Sequence, residues 1–501
     1  MLACVRSAAV LGIDAAPVNV EVDVSFGIPA FTMVGLPDTS VRESRDRIRS
    51  AIRNSGFTFP PHRITVNLAP ADLRKGGSSF DLPIALGILA ATGVVARRDI
   101  GDVLILGELS LDGAIQSARG VLPIAAAARR RSFRGLVLPA ANTREAAVVR
   151  GLDFFPVQWL TEAVGALNDP RPATLPSDPQ DESTELLLGD FADVRGQMGA
   201  RRALEIAAAG GHNVLLCGPP GSGKTMMARR AGGILPPLSF DEALEVTAIH
   251  SVAGLLPADT GLLRTRPFRA PHHTVSDVAL AGGGSIPRPG EISLAHQGVL
   301  FLDEMPEFSR RTLEVLRQPL EDGVVRIARA QRTVAFPARF ILVGAMNPCP
   351  CGYFGDARRP CRCTPMQIDR YTGRLSGPLR DRLDLTVEVA ALAGDDLTSG
   401  GGGEETLAIR SRVEAARARQ LARADTSEAP LNSRLAPRAL RRACAMDAKG
   451  ERVLRHASER LGLTARAFDR ILRVSRTIAD LAGSERVEAE HAAEALQFRG
   501  N

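Results

Sequence analysis

The stretch Gly218-Pro-Pro-Gly-Ser-Gly-Lys-Thr225 decides how the centre of this sequence folds. It follows the apolar run Asn213 to Cys217, which is typical of a buried strand, and a helix is predicted from about Met226. The spacing G-x-x-x-x-G-K-[ST] is typical of a loop whose backbone N–H groups curl around phosphates at the amino end of a helix. The predicted nucleotide-binding residues are Gly218, Pro219, Pro220, Gly221, Ser222, Gly223, Lys224 and Thr225.

The last two motif residues predict the ligands. The Lys224 ammonium is expected to reach the β- and γ-phosphates, and the Thr225 hydroxyl is expected to bind Mg²⁺. The chain has only three lysines, the other two being Lys75 and Lys449. A lysine at the motif position therefore stands out in an arginine-rich sequence, and ATP with Mg²⁺ is the predicted ligand pair.

Two further predicted strands end in polar side chains. The apolar run Gly298 to Leu302 is followed by Asp303 and Glu304. Asp303 would hold Mg²⁺ through its water shell, and Glu304 would polarise the attacking water as general base. The apolar run Phe340 to Met346 ends at Asn347, whose amide is suited to orient that water. These alternations of buried strands and helices predict a mostly parallel sheet covered on both faces.

Two breaks in composition divide the chain. Residues 168–184 are rich in proline, acids and small polar residues, and residues 394–405 contain four consecutive glycines. Both are predicted to be linkers or mobile loops. Segment 1–167 mixes short β runs with helices, segment 185–393 carries the nucleotide motifs, and segment 406–501 predicts only amphipathic helices. The fold class predicted from these patterns is α/β, with a helical domain at the end.

Composition excludes some classes of protein. Of 501 residues, 45% are hydrophobic and 24% charged, so the chain can bury real cores and bulk disorder is excluded. The net charge of +6, from 62 basic and 56 acidic residues, permits a nucleic-acid partner without requiring one. The longest apolar run, Leu82 to Ala96, is 15 residues, too short to span a bilayer. No signal peptide is expected, and a cytoplasmic location without a membrane partner is predicted.

Four of the seven cysteines cluster. The pattern is C-x-C, nine residues, then C-x-C, within a stretch that also carries glycine and proline for turns. Four such thiols can close a tetrahedral Zn²⁺ site, although this spacing is less specific than paired C-x₂-C. Unligated structural thiols and a redox-responsive cluster stay open as alternatives. The candidate ligands of a structural Zn²⁺ are Cys349, Cys351, Cys361 and Cys363.

Two stretches between the nucleotide motifs have their own patterns. Residues Asp241 to Gly290 are rich in proline and glycine, which predicts irregular structure. Residues Val324 to Phe336 predict two short strands about a turn, with Arg326, Arg329 and Arg332 around the tip. The adjacent His272 and His273 are interpreted as structural or pore-loop residues rather than metal ligands.

Together, GPPGSGKT, FLDE, the Asn347 strand end, the SGPLRDRLD block and the trailing helices resemble an AAA+ ATPase. The phrases RPFRAPHHTVSDVAL, PRPGEISLAHQGVLFLDEMPEF, LRQPLEDG and AMNPCPCG are more specifically similar to the magnesium-chelatase-like ComM/YifB family. The resemblance covers essentially the whole chain. It implies an AAA+ P-loop core with a helical lid, a homohexameric ring, and ATP-dependent branch migration of DNA during recombination, notably of transforming DNA.

The resemblance also implies residue roles. Asn347 matches the sensor-1 position, and Arg466 matches sensor 2 on the lid. Arg382 matches the arginine finger supplied to a neighbouring subunit, with Arg380 as the alternative. The stretch Asp241 to Gly290 would project into the central pore. Six copies of the arginine hairpin would form a positive collar for phosphate contacts without sequence readout, whereas a simply solvated hairpin is the alternative.

The N-terminal segment resembles the proteolytic domain of Lon. The stretch Asp72 to Asp81 places Ser79 where the nucleophile of a Ser–Lys dyad would lie. Leu122 falls where the lysine should be, and Lys75 is on the serine's own loop. A Lon-like α+β fold without peptidase activity is therefore predicted.

Two other functions stay open. One is a chelatase motor that inserts Mg²⁺ into a porphyrin through partner subunits, against which the extra N-terminal domain argues. The other is a protein-remodelling ATPase, which the modest net charge does not exclude.

Overall fold

The computed structural model describes residues 1–36, 39–73, 75, 78–97, 99–174, 189–257, 260–284, 286–329, 332–356, 359–391, 403–423 and 431–499. Within these ranges, none of the helices combines the length and the apolar character that crossing a membrane requires. Most of the two predicted linkers, residues 175–184 and 394–402, lies outside the described residues.

The N-terminal segment forms a mixed seven-stranded sheet with helices packed on it. Strands β1 and β2 are antiparallel, as are β2 and β4, and the other pairs are parallel. The order is β3-β4-β2-β1-β5-β8-β9. The strands are β1 Leu2–Leu11, β2 Asp14–Ser25, β3 Ala30–Val34, β4 Arg63–Ala69, β5 Asp99–Ile105, β8 Gly135–Pro139 and β9 Asp153–Val157, with a separate pair β6 Glu108–Leu109 and β7 Ile115–Gln116.

Five helices belong to this segment: α1 Thr39–Asn54, α2 Asp81–Ala91, α3 Val121–Arg130, α4 Thr143–Ala147 and α5 Leu160–Asn168. The apolar run from Leu82 is helix α2, and every residue of α2 is buried because the helix lies within the N-terminal core. Along β2, buried and partly exposed residues alternate, as expected for a strand with one face toward that core.

The central segment is built on five parallel strands in the order β11-β14-β17-β10-β18. Burial on both faces explains the near-continuous apolar runs from which three of them were predicted, because helices cover the sheet. The carboxyl ends of all five strands meet at one edge. They are β10 Val214–Cys217, β11 Phe268–Arg269, β14 Val299–Leu302, β17 Ile341–Met346 and β18 Leu385–Glu388.

Helices and hairpins fill the connections of this sheet. Its helices are α6 Met198–Gly210, α7 Lys224–Ala231, α8 Phe240–Ala253, α9 Asp277–Ala281, α10 Glu291–Leu294, α11 Arg310–Glu314, α12 Arg317–Asp322, α13 Pro365–Thr372 and α14 Gly377–Arg380. Two antiparallel hairpins pair β12 Gly282–Gly283 with β13 Arg288–Pro289, and β15 Val324–Arg329 with β16 Arg332–Pro337.

The expectation of irregular structure between Asp241 and Gly290 is wrong for the first part of that stretch. Its first part is the regular helix α8, which begins with a capping box between Ser239 and Glu242 and ends at Gly254 in the left-handed region. Only the later part, with the short α9 and the β12–β13 hairpin, has the predicted irregular character.

The C-terminal segment is helical, as predicted. Its helices are α15 Thr406–Ala422, α16 Pro437–Ala443, α17 Ala448–Leu461, α18 Ala465–Ala482 and α19 Ala489–Gln497. They share one hydrophobic core with α6 and the central sheet. Arg412 of α15 forms an ion pair with Glu205 of α6, and Gln420 donates to the Ala209 carbonyl at 3.0 Å. The mixed α/β fold with a parallel-sheet core and a helical lid is confirmed.

The N-terminal segment contacts the central one at two places. Glu145, buried in α4, accepts hydrogen bonds from the backbone N–H of Leu122 at 2.9 Å and from the hydroxyl of Ser251 in α8. At Gly12, in the turn between β1 and β2, an added Cβ would lie 3.0 Å from the carbonyl oxygen of Ala335 in the β15–β16 hairpin.

Candidate functional site

The predicted phosphate loop connects β10 to α7. Cys217 ends the strand and Lys224 begins the helix, so the intervening backbone turns at the amino end of α7. Gly223 has φ +86°, a left-handed value that favours glycine. At Gly218, a Cβ would lie 2.2 Å from the Val389 carbonyl oxygen, so only glycine fits beside β18. The loop therefore has the geometry that its spacing predicts.

Lys224 lies at the centre of the site. Its ammonium donates to the carbonyls of Gly218 at 2.7 Å and Pro219 at 2.8 Å, and to Asn347 Oδ1 at 3.3 Å. Burial lowers the pKa of Lys224, while the nearby Asp303 carboxylate opposes that effect. The structure thus brings the motif lysine and the predicted sensor Asn347 into contact across adjacent strands.

Thr225 and Asp303 form the second pair. The Thr225 hydroxyl donates to Asp303 Oδ2 at 2.7 Å, and the other carboxylate oxygen accepts the backbone N–H of Glu304 at 2.9 Å. Oxygen donors are the ligands that Mg²⁺ prefers, and two of them already adjoin the phosphate loop. The residues present therefore fit a magnesium ion bound together with a nucleotide phosphate.

Glu304 adjoins a cavity of about 270 Å³ beside this pair. Its backbone has φ +49°, left-handed for a non-glycine residue, and its side chain is 54% exposed. The other residues lining the cavity are Thr225, Arg229, Ala270, Pro271, His272, His273, Phe301 and Asp303. The acidic pair and the motif threonine therefore share one cavity.

The interpretation of His272 and His273 as structural or pore-loop residues missed their position in this cavity. His273 Nδ1 lies 3.7 Å from Glu304 Oε2, and the two imidazole rings are 4.1 Å apart. They follow β11, whose carboxyl end is at the same sheet edge as that of β14. No local signal in the sequence indicates this position, because it depends on the pairing of β11 with β14.

The predicted arginines occupy different surroundings. Arg382 is only 13% exposed, forms an ion pair with Glu321, and has an Nε without a partner among the described residues. Arg380 is exposed and lines an open cleft of about 510 Å³.

Arg466 is exposed in the first turn of α18 and has no ion pair within the described chain. Arg470, which the sequence analysis did not single out, donates to the Leu383 carbonyl at 2.7 Å. This hydrogen bond joins the C-terminal helices to the SGPLRDRLD block.

The predicted arginine hairpin is present as β15–β16. Arg326 is exposed, and its guanidinium donates to Asp322 Oδ2 at 2.7 Å. Arg329 and Arg332 pair with each other in the backbone register beside the tip, but their side chains lie outside the described residues.

The four predicted zinc ligands lie together. Their Sγ atoms all fall within 4.8 Å of one another. Cys349 is buried, and its Sγ lies 3.3 Å from that of Cys351 and 3.7 Å from that of Cys361. Hydrogen bonds from the backbone N–H groups of Arg362 and Tyr353 lower the pKa of Cys351 to about 6. Sequence clustering thus corresponds to clustering in space.

The positions compared with a Ser–Lys peptidase dyad are Leu122 and Lys75. Leu122 is buried in α3, where the lysine was expected. The Lys75 side chain is buried, and its ammonium donates to the carbonyls of Gly35, at 3.0 Å, and Pro70. The Lon-like assignment and the absence of peptidase activity stay predictions.

Three family models match the chain. Residues 190–397 match the model described as magnesium chelatase, subunit ChlI, residues 403–499 match its C-terminal model, and residues 20–142 match the model described as subunit ChlI of Mg-chelatase.

Full-length relatives are similar over nearly the whole chain. The competence protein ComM of Haemophilus influenzae is 46% identical over 505 aligned residues, which cover 99% of this chain and 97% of that protein. The uncharacterised protein YifB of Salmonella typhimurium is 44% identical over 99% of this chain and 97% of its own length.

A more distant relative matches only part of the chain. The magnesium-chelatase 38 kDa subunit of Rhodobacter capsulatus is 26% identical over 36% of this chain and 53% of its own length.

Proposed function

Because this chain belongs to the magnesium-chelatase-like AAA+ family of ComM and YifB, we propose that it is an ATP-driven motor that moves along DNA. The single observation that carries the ATPase part is the joined site in which Lys224 contacts Asn347 and Thr225 contacts Asp303. The proposed working form is a cytoplasmic homohexamer that promotes branch migration during recombination and natural transformation.

In this proposal the chain's own residues divide the work of hydrolysis. Lys224 exchanges its carbonyl partners for phosphate oxygens, a stronger, charge-assisted set of hydrogen bonds. Thr225 and Asp303 would hold Mg²⁺, which when bound neutralises phosphate charge. Glu304 accepts a proton from the attacking water, Asn347 orients that water, and Arg382 of a neighbouring subunit together with Arg466 stabilises the charge on the transferred phosphoryl group.

DNA is the proposed track for two reasons. The relative from H. influenzae is named a competence protein, which points to DNA taken up by cells. The exposed Arg326 at the β15–β16 hairpin has only a surface ion pair with Asp322, and such pairs contribute little to stability, so the guanidinium can exchange it for phosphate. With Arg329 and Arg332, the hairpin would contact the backbone of DNA without reading its sequence.

A chelatase motor is the second candidate, favoured by the family descriptions. Residues 20–142 match a model named for a chelatase subunit, so the presence of an N-terminal domain does not by itself argue against this class. The R. capsulatus subunit, however, aligns with only 36% of this chain, whereas ComM aligns with 99% of it. We therefore retain the DNA motor as the proposal, ahead of a chelatase or a protein-remodelling ATPase.

The decisive experiment measures the ATPase rate of the purified chain alone and with single-stranded DNA, branched DNA or an unfolded protein. A DNA motor should be stimulated by DNA of unrelated sequences and not by the unfolded protein. Lys224→Ala, which removes the phosphate-binding ammonium, controls for contaminating ATPases. Stimulation by unfolded protein alone would transfer the assignment to protein remodelling, and indifference to DNA would refute the proposal.

A further inference from the structure

We propose that one Zn²⁺ binds the four cysteines of the described segments 348–356 and 359–363, here called the cysteine loop, and that the metal-bound loop clamps the nucleotide pocket in its working geometry. Zinc binding itself stands independently of the proposed function, but the clamp's effect on hydrolysis rests on it. The four thiolate ligands are Cys349, Cys351, Cys361 and Cys363.

The sulfur positions fit a tetrahedral site. Zinc–sulfur bonds of about 2.3 Å place the sulfurs of a tetrahedron about 3.8 Å apart. Cys361 Sγ lies 3.7 Å from Cys349 Sγ and 3.6 Å from Cys351 Sγ, and all four sulfurs lie within 4.8 Å of one another. Four thiolates fill the coordination shell, so the metal would be structural rather than catalytic.

Backbone N–H groups already point at these sulfurs. The Phe354 N–H donates to Cys349 Sγ at 3.3 Å, and the Cys363 N–H donates to Cys361 Sγ at 3.4 Å. Such hydrogen bonds hold ligands in orientation and stabilise the thiolate charge. No disulfide joins any of the four thiols, which all remain available for a metal.

One side of the cysteine loop lies against the phosphate loop. Gly352 has φ +86°, and a Cβ added there would lie 2.7 Å from Pro220 Cδ and 3.9 Å from Asn347 Cγ. The backbone next to a zinc ligand therefore contacts both the phosphate loop and the sensor amide. The metal would hold this backbone in place, because Cys351 is the residue directly before Gly352.

The other end of the loop returns to the same amide. Helix α13 begins directly after Cys363, with a capping box between Thr364 and Gln367. Its Tyr371 is hydrogen-bonded to the backbone of Asn347, and burial raises the pKa of this phenol to about 12. Zinc would thus join the end of β17 to the start of α13 at one point, and Asn347 would be fixed from both sides.

The first test measures metal. Purified full-length protein should contain about one zinc per chain, and cobalt substitution should give the visible absorption of a tetrahedral tetrathiolate site. Cys361→Ser should lose most of the zinc, Cys361→His should retain it, and Cys4→Ser, outside the loop, should be unchanged. Metal-free wild type, or full zinc in Cys361→Ser, would overturn the site whatever the ATPase assays show.

The second test isolates the clamp from the metal. Gly352→Ala and Gly355→Ala place the same methyl group on left-handed backbone, at φ +86° and +80°, but only the first meets Pro220, while the second meets nothing within 4 Å. Both should keep zinc. Gly352→Ala should lower ATP turnover about tenfold or more, the scale expected for supporting contacts, and Gly355→Ala should not. Equal turnover in the two variants would refute the clamp while leaving the ATPase proposal intact.

Discussion

At the scale of single residues, the acidic turn after β14 shows how backbone geometry prepares chemistry. Glu304 is non-glycine with φ +49°, a sparsely populated conformation that persists only where the surroundings hold it. Here its N–H is bound by Asp303 Oδ1 at 2.9 Å. The turn directs Asp303 toward Thr225 and leaves the Glu304 carboxylate beside the cavity, so adjacent acids have separate surroundings and separate proposed roles.

Replacing Glu304 by glutamine should abolish turnover and leave nucleotide binding intact. The amide keeps the size of the side chain but cannot accept a proton, whereas Lys224, Thr225 and Asp303 still hold Mg-ATP. A loss of about 10²–10⁴-fold in hydrolysis is expected, measured beside the affinity for a fluorescent ATP analogue. Glu307→Gln, at an exposed acid paired with Arg374, is the matched control. Wild-type turnover in Glu304→Gln would remove this residue from the catalytic role.

Asp81 provides a pH-dependent test of the N-terminal core. Burial raises its pKa to about 6, against the effect of Arg47 at 3.0 Å. Because the folded state holds this proton to a higher pH than the unfolded chain, stability at this site is greatest below about pH 4 and falls as pH rises through about 6. Between pH 5 and pH 7 the loss is about 1 kcal/mol.

The variant Asp81→Asn should lose this pH dependence. Urea unfolding at pH 5 and pH 7, followed through the single tryptophan, Trp159, reports on the N-terminal segment. The difference in free energy of unfolding, variant minus wild type, should be about 1 kcal/mol larger at pH 7 than at pH 5. Loss of the ion pair with Arg47 changes this difference equally at both pH values, so it does not affect the comparison. Parallel pH profiles for the two proteins would contradict the inferred titration.

At the scale of elements, the β15–β16 hairpin is the proposed DNA contact. Arg326→Ala, Arg329→Ala and Arg332→Ala combined should weaken DNA binding and reduce the slope of log affinity against log salt by about 0.7–0.9 for each lost phosphate contact. Basal ATPase should survive, while its stimulation by DNA falls. The matched control removes the same charge from the exposed residues Arg129, Arg130 and Arg131 at the end of α3. Identical slopes for the hairpin and control variants would show that the hairpin does not bind DNA.

Local patterns predicted elements well where one face or both faces are buried. Helix α18, Ala465–Ala482, is one of the amphipathic helices predicted for segment 406–501, and the hairpin between Val324 and Phe336 is present. Helix α8 was not predicted, because the interpretation relied on the proline and glycine residues later in the stretch and did not use the capping box at Ser239. The position of His273 beside Glu304 could not be predicted, because it depends on β11 pairing with β14, a long-range choice that no local pattern encodes.

At the scale of the whole molecule, the N-terminal segment contacts helix α8 and the hairpin proposed to bind DNA. Ser251, near the carboxyl end of α8, donates to the buried Glu145, whose pKa is raised by burial. Gly12 lies against Ala335 in the arginine hairpin. The N-terminal segment therefore contacts both the α8 region and the hairpin.

The proposed arginine finger belongs to this scale because such a residue would act on the nucleotide of a second copy of the chain. Within one chain Arg382 is paired with Glu321, so a role as finger would require it to exchange that carboxylate for a neighbour's phosphate. Arg382→Ala should bind ATP normally and hydrolyse it more slowly, by up to about 10³–10⁵-fold by analogy with other NTPases. Mixing it with Lys224→Ala should restore some activity, since an interface at which the Lys224→Ala subunit supplies its finger to the Arg382→Ala subunit combines an intact finger with an intact phosphate loop.

The exposed Arg380 is the competing finger, and the same mixing experiment separates the two. Its guanidinium bonds only to the Thr372 carbonyl among the described residues and lines an open cleft, so it could reach a neighbour without breaking an ion pair. If Arg380→Ala shows the larger loss and is the variant rescued by Lys224→Ala, the arginine finger is Arg380 rather than Arg382. If neither variant is rescued in mixtures, hydrolysis does not depend on a residue from a neighbouring subunit, and the hexameric ring loses its mechanistic basis.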